Sequence, residues 1–198
     1  MRWLPVPSFP PLDENNRRIL YLTFDDGPDP KVTPLVLKLL DEYNAKATFF
    51  CLGRNVSLNY RIFLEIQARG HLACNHTYSH PKGWYTQTRK YLEDVERAAK
   101  YFENRFFRPP YGKIGIQQYL MLKKKYTFIF WHVLSRDYNV KKNWRYCFER
   151  VKNKSMAGSV VVFHDSTKAA PRMLPCLEAT LKHFTALGYV FHSLKDSP

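Results

Sequence analysis

The chain has 198 residues, with 31 Lys+Arg against 17 Asp+Glu and a formal net charge of +14; its 45% apolar and 16% aromatic content excludes disorder as the main reading. This length fits one domain with a sizeable core and hardly fits two. No apolar run approaches the roughly 20 residues of a bilayer-crossing helix, and the Pro-rich start MRWLPVPSFPPL shows no secretory signal peptide, so a cytoplasmic location is expected.

In chain order, residues 1–18 read as an arm laid over a single domain at 19–198. Ile19 to Phe24 (ILYLTF) is a short apolar run of strand formers closed by Asp-Asp-Gly-Pro, through which a helix does not easily continue. Thr33-Pro34 then supplies a cap and a first-turn proline, and Leu35, Val36, Leu39, Leu40 and Tyr43 fall on one helical face. The alternation repeats with a strand at Ala47 to Leu52, a helix from about Leu58 stopped by Gly70, and a strand at His71 to Asn75. A helix with the seam Leu92, Val95, Ala99 and Phe102 follows. Further strands are expected near Phe106, at Thr127 to Val133, at Ser159 to Phe163 and at Tyr189 to Leu194, with a helix over Met173 to Leu187 before the last.

About seven β-then-α units of this kind require a parallel sheet, because each helix returns the chain to the same end. An open doubly wound sheet and a closed barrel both satisfy the pattern. No GxGxxG follows the first strand and no P-loop is present, which removes the main support for nucleotide binding.

The chemistry-bearing residues follow the C-terminal ends of the strands: Asp25 and Asp26, His76 and His80, Arg108, Asp137, and His164-Asp165. Parallel α/β folds gather active sites at that edge, so groups far apart in sequence converge on one mouth. Asp-Gly-Pro is ordinary turn chemistry. Two carboxylates ending a buried strand are not, and adjacent residues point apart, so one can bind a metal while the other stands free as a base. His76-Thr-Tyr-Ser-His80 has i,i+4 spacing, which on a helical turn puts two imidazoles on one side. Joined to an Asp, they form a three-ligand set that leaves a position open for water or substrate. Such an oxygen and nitrogen set suits one divalent ion, zinc first, with cobalt, nickel and manganese also suitable.

The charge points to a polyanionic partner, either nucleic acid, an anionic cell-wall polymer or an acidic membrane face. Lys123 to Lys125 is the longest basic block and reads as a solvated helix face; no nucleic-acid-binding pattern accompanies it, and no nucleic-acid partner is expected. Cys51, Cys74, Cys147 and Cys176 form no CxxC pair and read as free thiols, the first two in the core. Trp84, Tyr85, Trp131 and Trp144 are core by default, with one or two available at the mouth to stack on a sugar.

Four ordered motifs resemble those of the polysaccharide deacetylases, carbohydrate esterase family four, whose domain is also named for the nodulation chitooligosaccharide deacetylase. They are Thr23-Phe-Asp-Asp-Gly-Pro28, His76-Thr-Tyr-Ser-His80, Arg108-Pro-Pro-Tyr-Gly112 and the Val160 to His164 strand, and the likeness runs from about Leu20 to Leu194. The resemblance implies a distorted (β/α) barrel of about seven parallel strands and a metal-dependent hydrolase removing acetyl groups from N-acetylated sugars. By motif matching, Asp25 is the base, Asp26, His76 and His80 bind the metal, Arg108 orients Asp25, and His164 is the general acid. Tyr111 offers its backbone N–H to the oxyanion and Val162 lines the acetyl pocket. The family's Asp-x-x-Asp-Trp segment reads Leu134-Ser-Arg-Asp137-Tyr138 here, which retains Asp137 as partner of His164 and leaves Tyr138 to stack on a sugar.

The expected substrate is therefore an N-acetylglucosamine-containing glycan, a peptidoglycan fragment or chitooligosaccharide. The competing reading is a catalytically weak carbohydrate-binding protein of the same fold, although a binding module has no need of Asp25 beside a metal.

Overall fold

The run RILYLTFD forms β1 (Arg18–Asp25), and its alternation divides the molecule into two apolar compartments. Leu20, Leu22 and Phe24 face the helices, while Ile19 and Tyr21 face the inside of the curled sheet. The structure, a computed structural model, describes residues 8–194. After β1 come α1 (Thr33–Glu42), β2 (Ala47–Cys51), α2 (Gly53–Leu58), α3 (Tyr60–Ala68), β3 (Leu72–Asn75), α4 (Thr88–Ala99) and β4 (Phe106–Phe107). The chain continues through α5 (Ile116–Leu122), β5 (Thr127–Phe128), β6 (Val133–Leu134), α6 (Trp144–Lys154), β7 (Val160–His164), α7 (Ala170–Ala186) and β8 (Tyr189–Phe191).

Seven strands follow the order β5-β4-β3-β2-β1-β7-β6, all paired in parallel, and curl into a half-barrel, as the alternation and the family resemblance imply. An eighth, β8, pairs with Arg18–Leu20, below the stretch of β1 that pairs with β2. The expected strand over Thr127 to Val133 is two short strands instead, and these are the two ends of the seven-strand path.

Helix faces depart from the expectations in instructive ways. On α1 the buried residues are Thr33, Val36, Leu37 and Leu40, while Leu35 is exposed. Thr33 is not the cap: its hydroxyl donates to Asp165 Oδ2 at 2.6 Å, which ties the helix start to the end of β7. The helix expected from Leu58 begins at Gly53 and is broken at Asn59 into α2 and α3. On α4 the buried seam is Tyr91, Val95 and Ala98.

The outer core, from Leu20 to Phe191, fills the space between sheet and helices, and each fully buried Leu or Phe in it contributes about 1.5–3 kcal/mol. The inner core of Phe9, Ile19, Tyr21, Phe50, Cys74, Ile129, Val160 and Leu194 plugs the barrel. Phe9 lies against the Tyr21 ring at 5.3 Å, and the Tyr21 hydroxyl donates to Pro10 O at 3.1 Å. Residues 1–7 of the expected arm lie outside the described residues. All four cysteines are buried free thiols, and burial raises the pKa of each.

Candidate active site

On β1 the inward-facing positions change character along the strand, from Ile19 and Tyr21 to Thr23 and Asp25. On β1 the apolar plug therefore ends at Tyr21, four residues before the strand does, and Thr23 and the Asp25 carboxylate sit above it. Asp25 pairs in register with Phe50 on β2 and with His164 on β7, so the carboxylate and the imidazole stand side by side at the strand ends.

Arg108, which directly follows β4, reaches beneath Asp25 and is wholly buried. Its Nη1 donates to Asp25 Oδ1 at 2.6 Å and to Thr23 Oγ1 at 2.8 Å, its Nε donates to Ile129 O at 3.1 Å, and its guanidinium lies 4.0 Å over the Phe50 ring. Burial raises the Asp25 pKa, but Arg108, then His76 and His164, outweigh it and hold the carboxyl below its ordinary range.

His164 is held from the other side. Asp137, also wholly buried, accepts the His164 backbone N–H at 2.8 Å and shares the proton of Nδ1 at 2.7 Å. Burial would lower the imidazole pKa, but Asp137, with help from Asp26 and Asp25, pushes it up to about 9. At neutral pH His164 is thus an imidazolium.

Asp26, His76 and His80 form the one cluster of metal-ligating side chains found among the described residues, with candidate ligand atoms all within 4.8 Å of one another. Asp26 Oδ1 lies 3.7 Å from His76 Nε2 and 3.3 Å from His80 Nε2. It is buried and has no hydrogen-bond partner, which is costly for a carboxylate oxygen without a cation. His76 Nδ1 lies 2.7 Å from the Arg108 carbonyl, so the ring donates there and turns Nε2 to Asp26. Burial and then His76 lower the His80 pKa to about 4, which leaves that ring neutral, as a ligand must be. The residues present fit a divalent metal.

The two histidines do not lie on a helical turn, contrary to the reading of their spacing. They belong to a loop after β3 in which Thr77 and His80 both have positive φ, 72° and 64°. Side chains hold that loop: Asn75 Oδ1 accepts Thr77 N at 2.7 Å, Thr77 Oγ1 accepts His80 N at 3.1 Å, and Asp94 accepts Tyr78 N and Ser79 N. Asp26, Tyr111 and Arg136 share the left-handed conformation at φ 83°, 60° and 66°, so backbone strain gathers around the mouth. Gly27 has its own reason. A Cβ there would stand 2.1 Å from Asp165 Oδ2, and Asp165 Oδ1 accepts the Gly27 N–H at 3.1 Å.

A cavity of 480 Å³ joins these groups, lined by Asp25, Asp26, His76, His80, Tyr111, Trp131, Leu134, Tyr138 and His164 along with Gly112, Lys113, Ser166 and Lys168. Arg108 and Asp137 lie beneath it. Tyr111 packs edge-on against His80 at 4.6 Å, and Tyr138 against His164 at 5.1 Å. Val162, expected at the acetyl pocket, is fully buried and is not among the residues that line the cavity. Two residues before the strand end, it lies in register between Thr23 and Leu134, and Leu134 forms the wall instead. Trp131, core by default in the sequence, also lines the cavity, while Trp84 and Tyr85 are exposed. No periodicity distinguishes these aromatics, since they lie outside regular helices and strands or in a single turn. The His-Asp dipeptide was the only hint of Asp165.

Comparison with known proteins gives a consistent answer. The family model described as polysaccharide deacetylase matches residues 13–128. A peptidoglycan-N-acetylglucosamine deacetylase of Bacillus cereus is 31% identical over 92% of this chain and 89% of the relative. A chitooligosaccharide deacetylase of Azorhizobium caulinodans is 33% identical over 76% of this chain and 75% of the relative. The crystal structure of the Bc1960 peptidoglycan N-acetylglucosamine deacetylase, solved with 4-naphthalen-1-yl-N-oxidanyl-benzamide, superposes with a TM-score of 0.86 at 29% identity, covering 96% of this chain and 90% of that one. The chain belongs to the polysaccharide deacetylase family.

Proposed function

We propose that this protein is a metal-dependent hydrolase that removes N-acetyl groups from N-acetylglucosamine-containing glycans, peptidoglycan fragments or chitooligosaccharides, with zinc as the first choice of metal. One observation carries the reading. The buried, unpartnered Asp26 Oδ1 faces two imidazoles in the same cavity as an ionised Asp25 and a protonated His164. Amide hydrolysis needs an activated water, a stabilised oxyanion and a proton for the amine leaving group.

A bound divalent ion supplies Lewis-acid polarisation and acidifies water. Asp25, fixed by Arg108, accepts the proton that water gives up on attacking the acetyl carbon. The Tyr111 backbone N–H donates to the oxyanion that forms. His164 then delivers its proton to the departing nitrogen, the C–N bond breaks, and acetate and the free amino sugar are released. Asp137 keeps His164 charged until that step. Tyr138 and Trp131 offer aromatic faces to the sugar ring.

The test is acetate release from a panel of N-acetylated oligosaccharides, with protein stripped by chelator and then resupplied with zinc, cobalt, nickel or manganese. Release that depends on added metal is expected. Absence of release from every N-acetylated glycan with every metal overturns the reading.

A further inference from the structure

Next to the cavity lies a second groove of 300 Å³, lined by Lys82, Gly83, Trp84, Tyr85, Tyr111 and Lys113. Tyr111 and Lys113 line both spaces, so the groove continues the cavity past His80. Its floor is unusual chemistry for a surface: Trp84 is 49% exposed, and Tyr85, at 84%, is the most exposed large apolar side chain among the described residues.

The turn presenting these rings is firmly held. Gln118 is only 2% exposed, and its Nε2 donates to Gly83 O at 2.8 Å and Thr86 O at 2.9 Å, while its Oε1 accepts Gly115 N at 2.9 Å. The Trp84 indole N–H donates to Ile114 O at 2.8 Å. A Cβ on Gly83 would stand 2.7 Å from the Lys113 carbonyl, so glycine lets the two loops meet. A buried glutamine and a close-approach glycine thus fix the turn that carries two exposed aromatic side chains, of which the Trp84 ring is itself held, an arrangement that packing alone does not require. Lys113 Nζ lies 5.2 Å over the Trp84 ring, Lys82 joins it on the lining, and no carboxylate lines the groove to neutralise them.

We propose that this aromatic–lysine shelf is the subsite for the sugar adjoining the one that is deacetylated, and that it selects a neighbour carrying a carboxylate. The inference rests on the deacetylase reading of the adjoining cavity. Aromatic faces take the apolar C–H face of a pyranose, and two ammonium groups attract an acidic substituent across a short distance. In peptidoglycan each N-acetylglucosamine adjoins N-acetylmuramic acid, whose lactyl carboxyl is an amide where a stem peptide is attached and a free carboxylate where the peptide has been removed; in chitooligosaccharides every neighbour is neutral. The shelf therefore favours peptide-free glycan chains of the peptidoglycan type.

Three ligands test it: a peptidoglycan-type tetrasaccharide with free carboxylates, the same compound with those carboxylates converted to amides, and chitotetraose. Steady-state acetate release and calorimetric binding are measured for each. The wild-type protein should prefer the free-carboxylate form through a lower KM. Lys82→Gln and Lys113→Gln should each shrink that preference by about three- to fivefold, the scale of one exposed charge contact. Tyr85→Ala should raise KM for all three by about three- to tenfold, with Tyr85→Phe restoring it. Tyr85 is too exposed for its loss to threaten folding. Equal kcat/KM on the carboxylate and amide forms, or an unchanged preference in both lysine variants, overturns the carboxylate selection. An unchanged KM in Tyr85→Ala overturns the shelf. If the wild-type protein releases no acetate, the deacetylase reading fails, and the calorimetric titrations still decide the shelf by the same comparisons.

Discussion

Asp25 and His164 end neighbouring strands, and each rests on a wholly buried partner of opposite charge, yet the two flanks behave in opposite senses. On the β4 side Arg108 holds a carboxylate ionised; on the β6 side Asp137 holds an imidazole protonated. A third acid, Asp165, is a built-in control. It is fully buried, its hydrogen bonds come from the Thr33 hydroxyl and the Gly27 N–H, and burial with the nearby Asp26 pushes its pKa up to about 8. Burial is common to all three groups: a partner of opposite charge overrides it at Asp25 and His164, and where no such partner stands, as at Asp165, burial sets the direction.

The largest expected effect separates the flanks by leaving group. His164→Ala should lower turnover of an N-acetyl sugar by about 10² to 10⁴-fold while sparing an aryl acetate, whose phenolate leaves without a proton. Asp25→Asn should cost both substrates about 10²-fold or more, since each needs the activated water. If His164→Ala depressed amide and ester hydrolysis equally, with metal content and folding intact, the flanks would not divide acid from base.

Arg108→Met probes the left flank alone. It strands the Asp25 carboxylate in the barrel, and urea unfolding should show a loss of about 3–5 kcal/mol. Little change in stability would mean that Asp25 takes up a proton or reaches water.

Asp137→Asn tests the right flank. With the imidazolium as the proposed general acid, activity should fall as pH rises through the His164 pKa; without the Asp137 charge that pKa drops, and the alkaline limb of the kcat profile should move to lower pH by about one unit or more. An unmoved limb would assign it to another group.

The smallest effect concerns the control. Between the unfolded pKa of Asp165, near 3.9, and the folded value of about 8, the folded chain keeps a proton that the unfolded chain has released, so stability falls as pH rises. Asp165→Asn should remove a slope of up to about 1.4 kcal/mol per pH unit from urea-unfolding curves in that window. Parallel curves for the two proteins would contradict a protonated Asp165.

Much of this was legible in the chain. Strand formers in ILYLTF, closed by Asp-Asp-Gly-Pro, place Asp25 and Asp26 at a strand end, and β-then-α alternation sends every such end to one edge. Period-2 alternation even separates Leu22 and Phe24 from Thr23 and Asp25. The metal set, Arg108 and Asp137 followed from motif order and were brought together by the fold.

What the sequence determined is what local chemistry and periodicity carry: a parallel α/β sheet, the edge that bears the polar groups, and the residue types that meet there, Asp25, Asp26, His76, His80, Arg108 and His164. Tertiary structure alone decided the rest. Whether Leu134 or Val162 meets the cavity depends on which strand each occupies: the two are register partners, but Val162 is enclosed between Thr23 and Leu134, while Leu134 lies on the end strand, an order set by pairing between strands remote in sequence. The His76–His80 loop is tied to Asp94, and the turn that exposes Trp84 and Tyr85 to Gln118 some thirty residues away; such long-range hydrogen bonds leave no period in a sequence to read.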